Sequence, residues 1–444
     1  MQAIILAGGM GTRLRPLTYT VPKPMLPVAG LPAMMHTVKA LYAAGFDEVF
    51  ITTNYLAEVV DEALKRLAPP IPVRCIREAR AMGTAGCVKN VIDQLEDEFV
   101  IIQGDAVADI DYKRFVLFHR EQNADVSIAT MRVSDPREFG IVAIESDGRI
   151  SRFQEKPKAE EAFSNLANSG FYVLKKSVFD RVPEGEEYDF SRQLFPELMA
   201  SGARFFAWEM NGYWVDIGRV QNYLEGNRHR MQGRAEVAEG VHVPDSTTLV
   251  PPFLIQEGSR IGEGCTIGPN ATIARNCSIG DNSRLAGALL FDDVSVGAGA
   301  RLTDCVIARH SRLGANVSVE PLAVIGEGCT VGHDVQVAAY SRVGPVISVA
   351  DGTVVEGLMA PRSDKLEALE RAMARSPQFG HLPSEQILAC SVLATFGEMT
   401  AREIALKGPI PFSKVRDVLD ALEESGLALS TLDVPKRYAL AKEF

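Results

Sequence analysis

The chain repeats an isoleucine–glycine pair at a six-residue interval in Ile261-Gly262-Glu263-Gly264-Cys265-Thr266-Ile267-Gly268. An aliphatic residue keeps this interval from Ile255 to Val349, apart from a five-residue step after Leu285 and another after Leu302. A hexapeptide period is typical of short strands joined by tight turns, which stack an aliphatic ladder inside a parallel β-helix. The sequence therefore predicts a β-helix over residues 233–357.

Three cysteines recur in phase with this repeat. Cys265, Cys277 and Cys329 each lie four residues after a ladder position, which predicts small side chains at equivalent places in different coils. A metal or redox site is the alternative interpretation. The chain holds seven cysteines, and this odd, scattered set does not form the disulfide framework of a secreted protein.

Composition narrows the class of protein. A length of 444 residues predicts about two to four domains. The formal net charge of −11 argues against binding of nucleic acid or an anionic membrane by the whole surface. No apolar run is long enough to span a bilayer, and the first residues do not resemble a signal peptide. We therefore expect a cytoplasmic protein.

Residues 1–232 alternate short apolar runs with helix-like segments. This alternation predicts an α/β domain with a mostly parallel sheet that is covered on both faces. The predicted helices are Pro32–Ala44, Leu56–Leu67 and Thr84–Leu95. The predicted strands are Ile4–Leu6, Glu48–Thr52, Val73–Ile76, Phe99–Gln103, Gly140–Glu145, Arg149–Glu155 and Gly170–Leu174.

The last part of the chain has a different pattern. We expect a helical linker over 358–382 and then three helices and a hairpin over 383–444, an order typical of a winged helix-turn-helix. The predicted helices are Ser384–Phe396, Thr400–Lys407 and Pro411–Ser425, and the predicted strands are Leu427–Leu432 and Arg437–Ala441.

The charge of this module bears on its partner. Residues 381–444 carry a net charge of −2, and duplex binding depends on neutralising phosphates. We therefore expect a contact with protein or with another subunit rather than with nucleic acid. A DNA-binding regulator that senses a ligand with its first domain is the alternative from another class.

A glycine-rich segment, residues 6–18, follows the first predicted strand. Its glycines let backbone N–H groups approach phosphate oxygens, and Arg13 and Lys23 add two cations nearby. The segment is neither a Walker loop nor a Rossmann fingerprint. A site for a polyphosphate is the functional interpretation, and a solvated loop with incidental charges is the simpler one.

This segment is one of a series of motifs that together resemble the sugar-nucleotide pyrophosphorylase family. The motifs, in order, are Gly8-Gly9-x-Gly11-Thr12-Arg13-Leu14-x-Pro16-Leu17-Thr18, Pro22-Lys23-Pro24, Gly83-Thr84-Ala85-Gly86, Gly104-Asp105, Phe139-Gly140-Ile141-Val142, Glu155-Lys156-Pro157, Asn168-Ser169-Gly170-Phe171-Tyr172, Asp189-Phe190, Leu194-Phe195-Pro196 and Gly212-Tyr213-Trp214-Val215-Asp216-Ile217-Gly218. The resemblance covers about residues 1–355 and is greatest to mannose-1-phosphate guanylyltransferases.

The resemblance implies a fold and a reaction. The fold is a Rossmann-like nucleotidyltransferase domain over 1–232, followed by a left-handed parallel β-helix. The reaction joins an NTP to a sugar 1-phosphate, giving an NDP-sugar and pyrophosphate, and the expected substrates are GTP and mannose 1-phosphate. A phosphate monoester is mostly dianionic at pH 7, so this nucleophile needs no general base.

The resemblance also implies roles for individual residues. Arg13 is expected to hold the leaving pyrophosphate, Lys23 to lie near the reacting phosphates and Lys156 to clamp the sugar phosphate. Asp105 and Asp216 are expected to hold Mg²⁺, which prefers hard carboxylate oxygens. The expected nucleotide-binding residues are Leu6, Ala7, Gly8, Gly9, Gly11, Thr12, Glu78, Gly83 and Thr84, and the expected sugar-binding residues are Gly140, Glu155 and Asn168.

Three departures from the family pattern concern sugar identity more than activity. Ser169 replaces the usual Ala, Gln103 stands where Asn often precedes Gly-Asp, and Arg219-Val220 replaces Thr-Pro. A glucose-1-phosphate thymidylyltransferase or uridylyltransferase is therefore an alternative.

The β-helix has two candidate roles. We expect it to join like subunits into a homo-oligomer, because its flat faces and edges suit that contact. A second catalytic centre for acetyl transfer is the alternative, with His310 and His333 as candidate residues.

Glu78 bears on which nucleobase the enzyme accepts in its NTP substrate. In this family the residue five before the Gly of the Gly83-Thr84-Ala85-Gly86 motif tends to face the nucleobase. An ionised carboxylate only accepts hydrogen bonds, which suits the adjacent N1–H and N2–H₂ donors of guanine and not the O4 acceptor of uracil or thymine. We expect GTP to be preferred. The simpler interpretation is a surface ion pair of Glu78 with Arg77 or Arg80.

Overall fold

The computed structural model describes residues 1–54, 56–78 and 80–359, and beyond them 386, 389–390, 393, 399–400, 404, 412–424, 428–430 and 437–440. The chain forms two compact units. The first consists of Met1–Gly9 with Pro32–Asp216, and the second of Met10–Leu31 with Ile217–Phe444. Within the described ranges, no helix has the length and apolar character needed to cross a membrane.

The described residues of 1–232 form thirteen strands and six α-helices. The strands are β1 Gln2–Leu6, β2 Pro27–Val28, β3 Leu31–Pro32, β4 Glu48–Thr53, β5 Val73–Arg77, β6 Glu98–Gln103, β7 Ala106–Ala108, β8 Val126–Arg132, β9 Gly140–Ile144, β10 Ile150–Glu155, β11 Leu166–Lys175, β12 Phe205–Glu209 and β13 Trp214–Asp216. The helices are α1 Ala33–Ala43, α2 Ala57–Leu67, α3 Gly83–Lys89, α4 Tyr112–Glu121, α5 Phe195–Ala200 and α6 Val220–Met231.

The first unit is built on a nine-stranded sheet, as the alternating pattern predicts. Its order is β10-β9-β11-β6-β1-β4-β5, with β8 between β11 and β12. Strands β6, β1, β4 and β5 run parallel, while β11 pairs antiparallel with β6 and β8. Ala3, Ile4 and Ile5 in β1 are fully buried, because a parallel sheet covered on both faces has no solvent side.

One predicted helix is shorter than expected. The sequence predicts a single helix over Thr84–Leu95, but α3 ends at Lys89 and a 3₁₀ turn follows at Ile92–Gln94. Asn90 stands at the end of the helix, where its short polar side chain is favoured over a helix interior. Val88 in α3 and Val91 and Leu95, which flank the 3₁₀ turn, are all buried. The spacing of apolar residues therefore does not reveal where the helix ends.

The predicted parallel β-helix is confirmed in the second unit. Three parallel sheets of eight, seven and six strands form its sides. Successive coils align at 18 residues, as in Ile261 opposite Ile279, or at 17 where a five-residue step intervenes, as in Leu285 opposite Leu302. The aliphatic ladder forms one continuous core between these sheets. The strands are β14 Ala235–Val237, β15 Thr248–Leu249, β16 Phe253–Ile255, β17 Arg260–Ile261, β18 Thr266–Ile267, β19 Ala271–Ile273, β20 Ser278–Ile279, β21 Arg284–Ala286, β22 Leu289–Leu290, β23 Ser295–Val296, β24 Arg301–Thr303, β25 Val306–Ile307, β26 Arg312–Leu313, β27 Ser318–Val319, β28 Val324–Ile325, β29 Thr330–Val331, β30 Gln336–Val337, β31 Arg342–Val343, β32 Ser348–Val349, β33 Val354–Val355 and β34 Leu358–Met359.

The cysteines of the repeat are small buried side chains, as predicted. Cys277 donates its S–H to the carbonyl of Phe291, one coil further on, at 3.2 Å, and Cys329 makes the same contact with Gly344. Ser259 occupies an equivalent place and donates to Ala274 at 2.8 Å. Serine and cysteine are thus interchangeable in this pattern, and each supplies one hydrogen bond between coils.

One side of the β-helix is buried on its outer face as well. This is the sheet that includes β16, β19, β22, β25 and β28, whereas the outward Arg260 and Arg284 of the other two sheets are exposed. Helix α6 and residues 10–31 lie against this side within the second unit: Leu254 packs with Ala29 and Met231. The buried outward side chains are Leu254, Thr272, Leu289, Val306 and Val324.

The described part of the last segment includes one continuous helix and three short strands. They are β35 Met399–Thr400, α7 Phe412–Glu424, β36 Ala428–Ser430 and β37 Arg437–Leu440, with the antiparallel order β35-β37-β36. Thr400 was predicted to begin a helix, but it ends β35 and pairs with Arg437, as a β-branched residue favours. Of the first two predicted helices, the structure describes besides Thr400 only residues 386, 389–390, 393 and 404, all helical, and nearly all of the predicted linker lies outside the described residues. The winged helix therefore stays a prediction.

Candidate active site

Several predicted site residues follow the carboxyl ends of neighbouring parallel strands in the first unit. The Ala7 N–H donates to the Thr52 carbonyl at 2.9 Å, and the Gly104 N–H donates to the Leu6 carbonyl at 3.0 Å. These bonds extend the pairing of β1 with β4 and β6 by one residue. The segment Leu6–Gly9 and Gly104-Asp105 therefore emerge at one edge of the sheet, where open α/β sheets bind ligands.

Glu78 directly follows β5, the neighbour of β4, and lies at the same edge of the sheet. Its N–H donates to the Thr53 carbonyl at 2.9 Å, and its carboxylate accepts the Met82 N–H at 3.2 Å. The side chain is only 7% exposed, and burial raises the pKa of the carboxyl to about 7. A Cβ added to Gly8 would lie 3.2 Å from Glu78 Oε1, so the carboxylate borders the glycine-rich segment directly.

The surface ion pair considered for Glu78 is wrong. Arg77 instead bonds Glu58 and Asp61 at 2.8 and 2.6 Å, and the Arg80 guanidinium donates to the Gly185 carbonyl. Both arginines bond other partners, and burial of the Glu78 carboxylate is the physical cause of its raised pKa.

The Gly83-Thr84 motif is held by the chain segment at 188–190. A Cβ on Gly83 would meet the Tyr188 backbone at 2.6 Å, so only glycine fits there at its φ of +71°. The Thr84 hydroxyl donates to Asp189 at 2.8 Å and accepts the Phe190 N–H at 3.0 Å. The hydroxyl of Thr84 is therefore committed to this segment, and its nucleotide-binding role stays a prediction.

Gly140, Glu155 and Lys156 are neighbours on the antiparallel pair β9–β10. Glu155 lies opposite Gly140, and a Cβ on Gly140 would come within 2.8 Å of both Glu155 Oε2 and the Phe153 ring. Lys156 follows β10 with its Nζ 3.8 Å from Glu155 Oε1, and its φ is +44°. The missing side chain at Gly140 thus leaves room for the Glu155 carboxylate.

Asn168 sits at an irregularity in β11, where the pairing with β8 shifts between Asn168 and Tyr172. Its amide donates to the Tyr172 hydroxyl at 3.0 Å, and its carbonyl accepts the Gly170 N–H at 2.9 Å. Tyr172 also hydrogen-bonds with Gln103, and burial raises the pKa of its phenol. The sequence motif contained Tyr172 and Gln103, but nothing in it indicated that these two side chains orient Asn168.

Ser169 has a structural role. It is buried, and its hydroxyl donates to the Ala129 carbonyl at 2.6 Å, while its own carbonyl accepts the Trp214 indole N–H at 3.0 Å. The hydroxyl that distinguishes this chain from the family pattern is therefore used to bond β8. This departure does not bear on sugar identity through a hydrogen bond from the side chain.

The two predicted metal ligands are brought together by a short ribbon. Strand β7 begins directly after Asp105, and β13 pairs antiparallel with it so that Asp216 lies opposite Ala106. The backbones of the two residues are thus one register position apart. Carboxylate oxygens are ligands that Mg²⁺ prefers, and the metal site stays a prediction. No group of three or more His, Cys, Asp or Glu side chains that could hold a metal occurs in the described part of the chain, so a cage made of protein alone is absent there.

Gly11, Thr12, Arg13 and Lys23 belong to the second unit. They lie in a segment of three 3₁₀ turns, Thr12–Leu14, Leu17–Tyr19 and Lys23–Met25. The Thr18 hydroxyl donates to the Gly11 carbonyl at 2.9 Å, and a Cβ on Gly11, where φ is +59°, would meet Thr18 at 2.9 Å. Thr12 and Arg13 are exposed, whereas Lys23 is only 7% exposed.

The two histidines considered for acetyl transfer occupy turns of the β-helix. His333 Nδ1 accepts the Ala315 N–H at 3.0 Å, so this nitrogen is not available as a base. His310 has a φ of +60° at a corner of the coil, and its Nδ1 lies 3.6 Å from Asp293 Oδ2. Both positions are those of turn residues that bond neighbouring coils.

Comparison with known proteins places these features in a family. The family model described as nucleotidyl transferase matches residues 2–233, and a model described as the EIF2B subunit epsilon LbH domain matches residues 233–337. The mannose-1-phosphate guanylyltransferase 1 of Arabidopsis thaliana is 32% identical over 359 residues, which cover 78% of this chain and 96% of that protein.

Two bacterial relatives show similar identity. The mannose-1-phosphate guanylyltransferase of Mycobacterium tuberculosis is 34% identical, covering 70% of this chain and 83% of that protein. The UTP–glucose-1-phosphate uridylyltransferase of Synechocystis is 33% identical, covering 73% of this chain and 92% of that protein. Because the family model matches slightly more than half of the chain and the relatives align over most of their length, the chain belongs to the nucleotidyl transferase family and is a nucleotidyltransferase.

Proposed function

We propose that this enzyme transfers GMP from GTP to mannose 1-phosphate, forming GDP-mannose and releasing pyrophosphate. The observation that carries the choice of base is Glu78, a buried carboxylate that borders Gly8 at the carboxyl edge of the sheet. When ionised, it accepts two hydrogen bonds, and guanine presents N1–H and N2–H₂ side by side. The names of the plant and mycobacterial relatives support the same choice of base and sugar.

The reaction is an in-line displacement at the α-phosphorus of the nucleotide. A phosphate oxygen of the sugar 1-phosphate forms the new P–O bond, and the bond from the α-phosphorus to the bridging oxygen breaks, so that pyrophosphate leaves with the electron pair. The sugar phosphate is already an anion and no proton has to be removed. Catalysis consists of aligning two anions and neutralising the charge that moves toward pyrophosphate.

The cationic side chains have distinct roles in this proposal. Arg13 holds the leaving pyrophosphate, Lys23 neutralises the reacting phosphates and Lys156 binds the phosphate of the sugar. Backbone N–H groups of Gly8, Gly9, Gly11 and Thr12 bind the nucleotide phosphates. Leu6 and Ala7, whose backbones belong to the sheet, and Gly83-Thr84 line the nucleotide pocket. Glu155, Asn168 and Gly140 form the sugar pocket, in which Glu155 accepts hydrogen bonds from sugar hydroxyls.

Asp105 and Asp216 are proposed to hold Mg²⁺. When bound, the ion neutralises phosphate charge and orients the triphosphate. The pairing of β7 with β13, which sets the two residues near one another, supports this assignment.

A second candidate has its own supporting observation. With a pKa of about 7, Glu78 is partly protonated near neutral pH, and a protonated carboxyl both donates and accepts. That pattern matches O4 and N3–H of uracil or thymine, as a glutamine does. A uridylyltransferase or thymidylyltransferase acting on glucose 1-phosphate is therefore the second candidate, and the name of the Synechocystis relative supports it.

Assembly and partners are further parts of the proposal. We infer a homo-oligomer formed through the β-helix, whose last coils expose Tyr340, Val354 and Leu358 at 69, 57 and 73%. Helix α7 exposes Asp417, Asp420 and Glu424, which supports a protein partner for the last module and not duplex DNA. Light scattering of the purified full chain tests the first point, because a monomer would contradict it.

The decisive experiment is a matrix of NTPs against sugar 1-phosphates, scored by pyrophosphate release. We expect the highest kcat/KM with GTP and mannose 1-phosphate. Glu78→Gln is expected to shift the preference toward UTP or dTTP, while the control Glu58→Gln, a carboxylate that pairs with Arg77, leaves it unchanged. Wild-type turnover of UTP or dTTP at least as fast as that of GTP would overturn the guanylyl assignment.

A further inference from the structure

The β-helix contains one pentapeptide twice. Ile261–Cys265 and Ile325–Cys329 both read Ile-Gly-Glu-Gly-Cys. In the first copy, Glu263 is exposed and accepts a hydrogen bond from the Ser246 hydroxyl of the preceding coil. In the second copy, Glu327 is only 4% exposed. The same local sequence therefore has two different environments.

The partner of Glu327 lies outside the repeat. The hydroxyl of Thr20, which is 2% exposed, donates to the Glu327 carboxylate across 307 positions of sequence. Arg309, one coil earlier, has its Nε 3.9 Å from Glu327 Oε2. A buried carboxylate is costly unless it is hydrogen-bonded and compensated by a cation, and this one has both. The side chain is thus committed to holding Thr20.

Thr20 lies between two residues of the proposed phosphate-binding machinery. It follows the turn Leu17–Tyr19 and precedes the turn Lys23–Met25, so it separates Arg13 from Lys23 along the segment. Its hydrogen bond therefore restrains the segment near its middle.

The far end of the segment is held separately. The Tyr223 hydroxyl donates to the Pro27 carbonyl at 2.5 Å. Ala29 is held twice: its N–H donates to the Asn227 side chain at 2.7 Å, and its carbonyl accepts from Arg234 at 2.8 Å. The segment is thus fixed at its C-terminal end by α6 and the residues that lead into the β-helix. Glu327 supplies a second attachment from a coil far along the repeat.

We propose that Glu327 is a positioning residue for the reaction, which acts through Thr20 on the segment that carries Arg13 and Lys23. The inference rests on the proposed roles of those two cations. It gives the β-helix a part in catalysis, because one of its coils holds the segment that must neutralise charge in the transition state. A displacement of about 1 Å in such groups is enough to slow a reaction strongly.

The test removes the hydrogen bond with little change in shape. Thr20→Val loses the hydroxyl that donates to Glu327, whereas Thr20→Ser keeps a hydroxyl at this position. We expect Thr20→Val to lower kcat about tenfold or more. Glu327→Gln keeps an acceptor for Thr20 but loses the charge that strengthens the bond, so it should lower kcat by a smaller factor. The KM for the sugar 1-phosphate should stay within about twofold, because Lys156, Glu155 and Asn168 lie in the other unit. The kcat of Thr20→Ser should be close to that of the wild type and well above that of Thr20→Val. Glu263→Gln, in the exposed copy of the pentapeptide, is the matched control and should behave as wild type.

A second readout does not depend on substrate identity. Amide hydrogen exchange over 11–25 should be faster in Thr20→Val and Glu327→Gln than in wild type and Glu263→Gln, with the β-helix core equally protected in all four. Wild-type exchange and wild-type kcat in Thr20→Val and Glu327→Gln would overturn the proposal. An equal loss of kcat in Glu263→Gln would overturn it as well. If the wild type lacks the proposed guanylyl activity, the exchange result and the kcat with whichever substrates it accepts still decide this inference.

Discussion

At the scale of single residues, Glu78 links the geometry of the site to its chemistry. Burial favours its protonated form and raises the pKa to about 7. Because the folded-state pKa is raised, Glu78 contributes stability below its unfolded pKa, and this contribution is lost as pH rises through about 7. In the proposed assignment, guanine binding needs the ionised form of Glu78, whereas uracil or thymine binding needs the protonated form. Base selectivity should therefore depend on pH.

We predict that the preference for GTP over UTP narrows as pH falls through about 7. The KM for GTP should rise in acid, because the protonated carboxyl no longer accepts both guanine donors. Measuring kcat/KM for both nucleotides across this range checks the prediction. Glu78→Gln has no titrating group there and should show a flat ratio. A ratio in the wild type that does not change with pH would contradict the assignment.

Asp105 and Asp216 give the sharpest test of the proposed metal site. Asp105→Asn and Asp216→Asn should each lower Mg²⁺-dependent pyrophosphate release about a hundredfold or more, since an amide oxygen carries no charge for the ion. Circular dichroism and thermal unfolding should stay close to wild type. The exposed turn residue Asp147 provides the control, as Asp147→Asn. Near-full turnover in either variant would remove that residue from the metal site.

At the scale of elements, the β-helix combines an aliphatic ladder with a set of interchangeable small side chains. The ladder residue Ile279 is 3% exposed in the shared core, and Cys277, two residues before it, bonds the next coil through its S–H. Burial raises the pKa of the Cys277 thiol to about 12, so the thiol is neutral and works only as a weak donor. The two positions should therefore respond very differently to substitution.

We predict that Cys277→Ser changes the free energy of unfolding by no more than about 1 kcal/mol, because Ser259 already makes the equivalent bond to Ala274. In contrast, Ile279→Ala should cost about 2–5 kcal/mol through the cavity it leaves in the ladder. Denaturant unfolding of both variants measures the difference. A loss of several kcal/mol in Cys277→Ser would show that the thiol has a role beyond this bond.

At the scale of the whole molecule, one segment belongs to a different compact unit from the residues on either side of it in the sequence. Residues 10–31 follow β1 directly, but they pack with α6 and the β-helix. Their hydrogen bonds reach Glu327 and Gln256, and Leu254 contacts Ala29. The segment that carries Arg13 and Lys23 therefore depends on residues far beyond the sheet.

We predict that a fragment of residues 1–232 lacks full activity even though the family motifs all fall within it. Without the β-helix, residues 10–31 keep their hydrogen bonds to α6 but lose those to Arg234, Gln256 and Glu327. A fragment of residues 1–359 keeps these contacts and should retain turnover close to that of the full chain. Pyrophosphate release and thermal unfolding of the two fragments provide the measurement. Equal activity in both fragments would show that the β-helix does not support the segment.

Local patterns in the sequence determined the elements of this protein. The six-residue period predicted the β-helix because each coil repeats the same short strand and turn, so neighbours along the chain are also neighbours in space. Apolar runs likewise predicted β1, β4 and β6 to within two residues at each end, because these parallel strands are buried on both faces. The edge strand β5 was predicted as closely although it is only partly buried. The order of motifs indicated the family and its residues.

Only the tertiary structure decided which partners those residues have. The two identical pentapeptides differ because Thr20 meets Glu327 while Ser246 meets Glu263, and no local rule distinguishes the two glutamates. Likewise, Glu78 turns toward Gly8 rather than pairing with a neighbouring arginine, and the Ser169 hydroxyl turns to Ala129. These contacts join positions that are distant in sequence, and their energies depend on burial, which the packing of the whole chain creates.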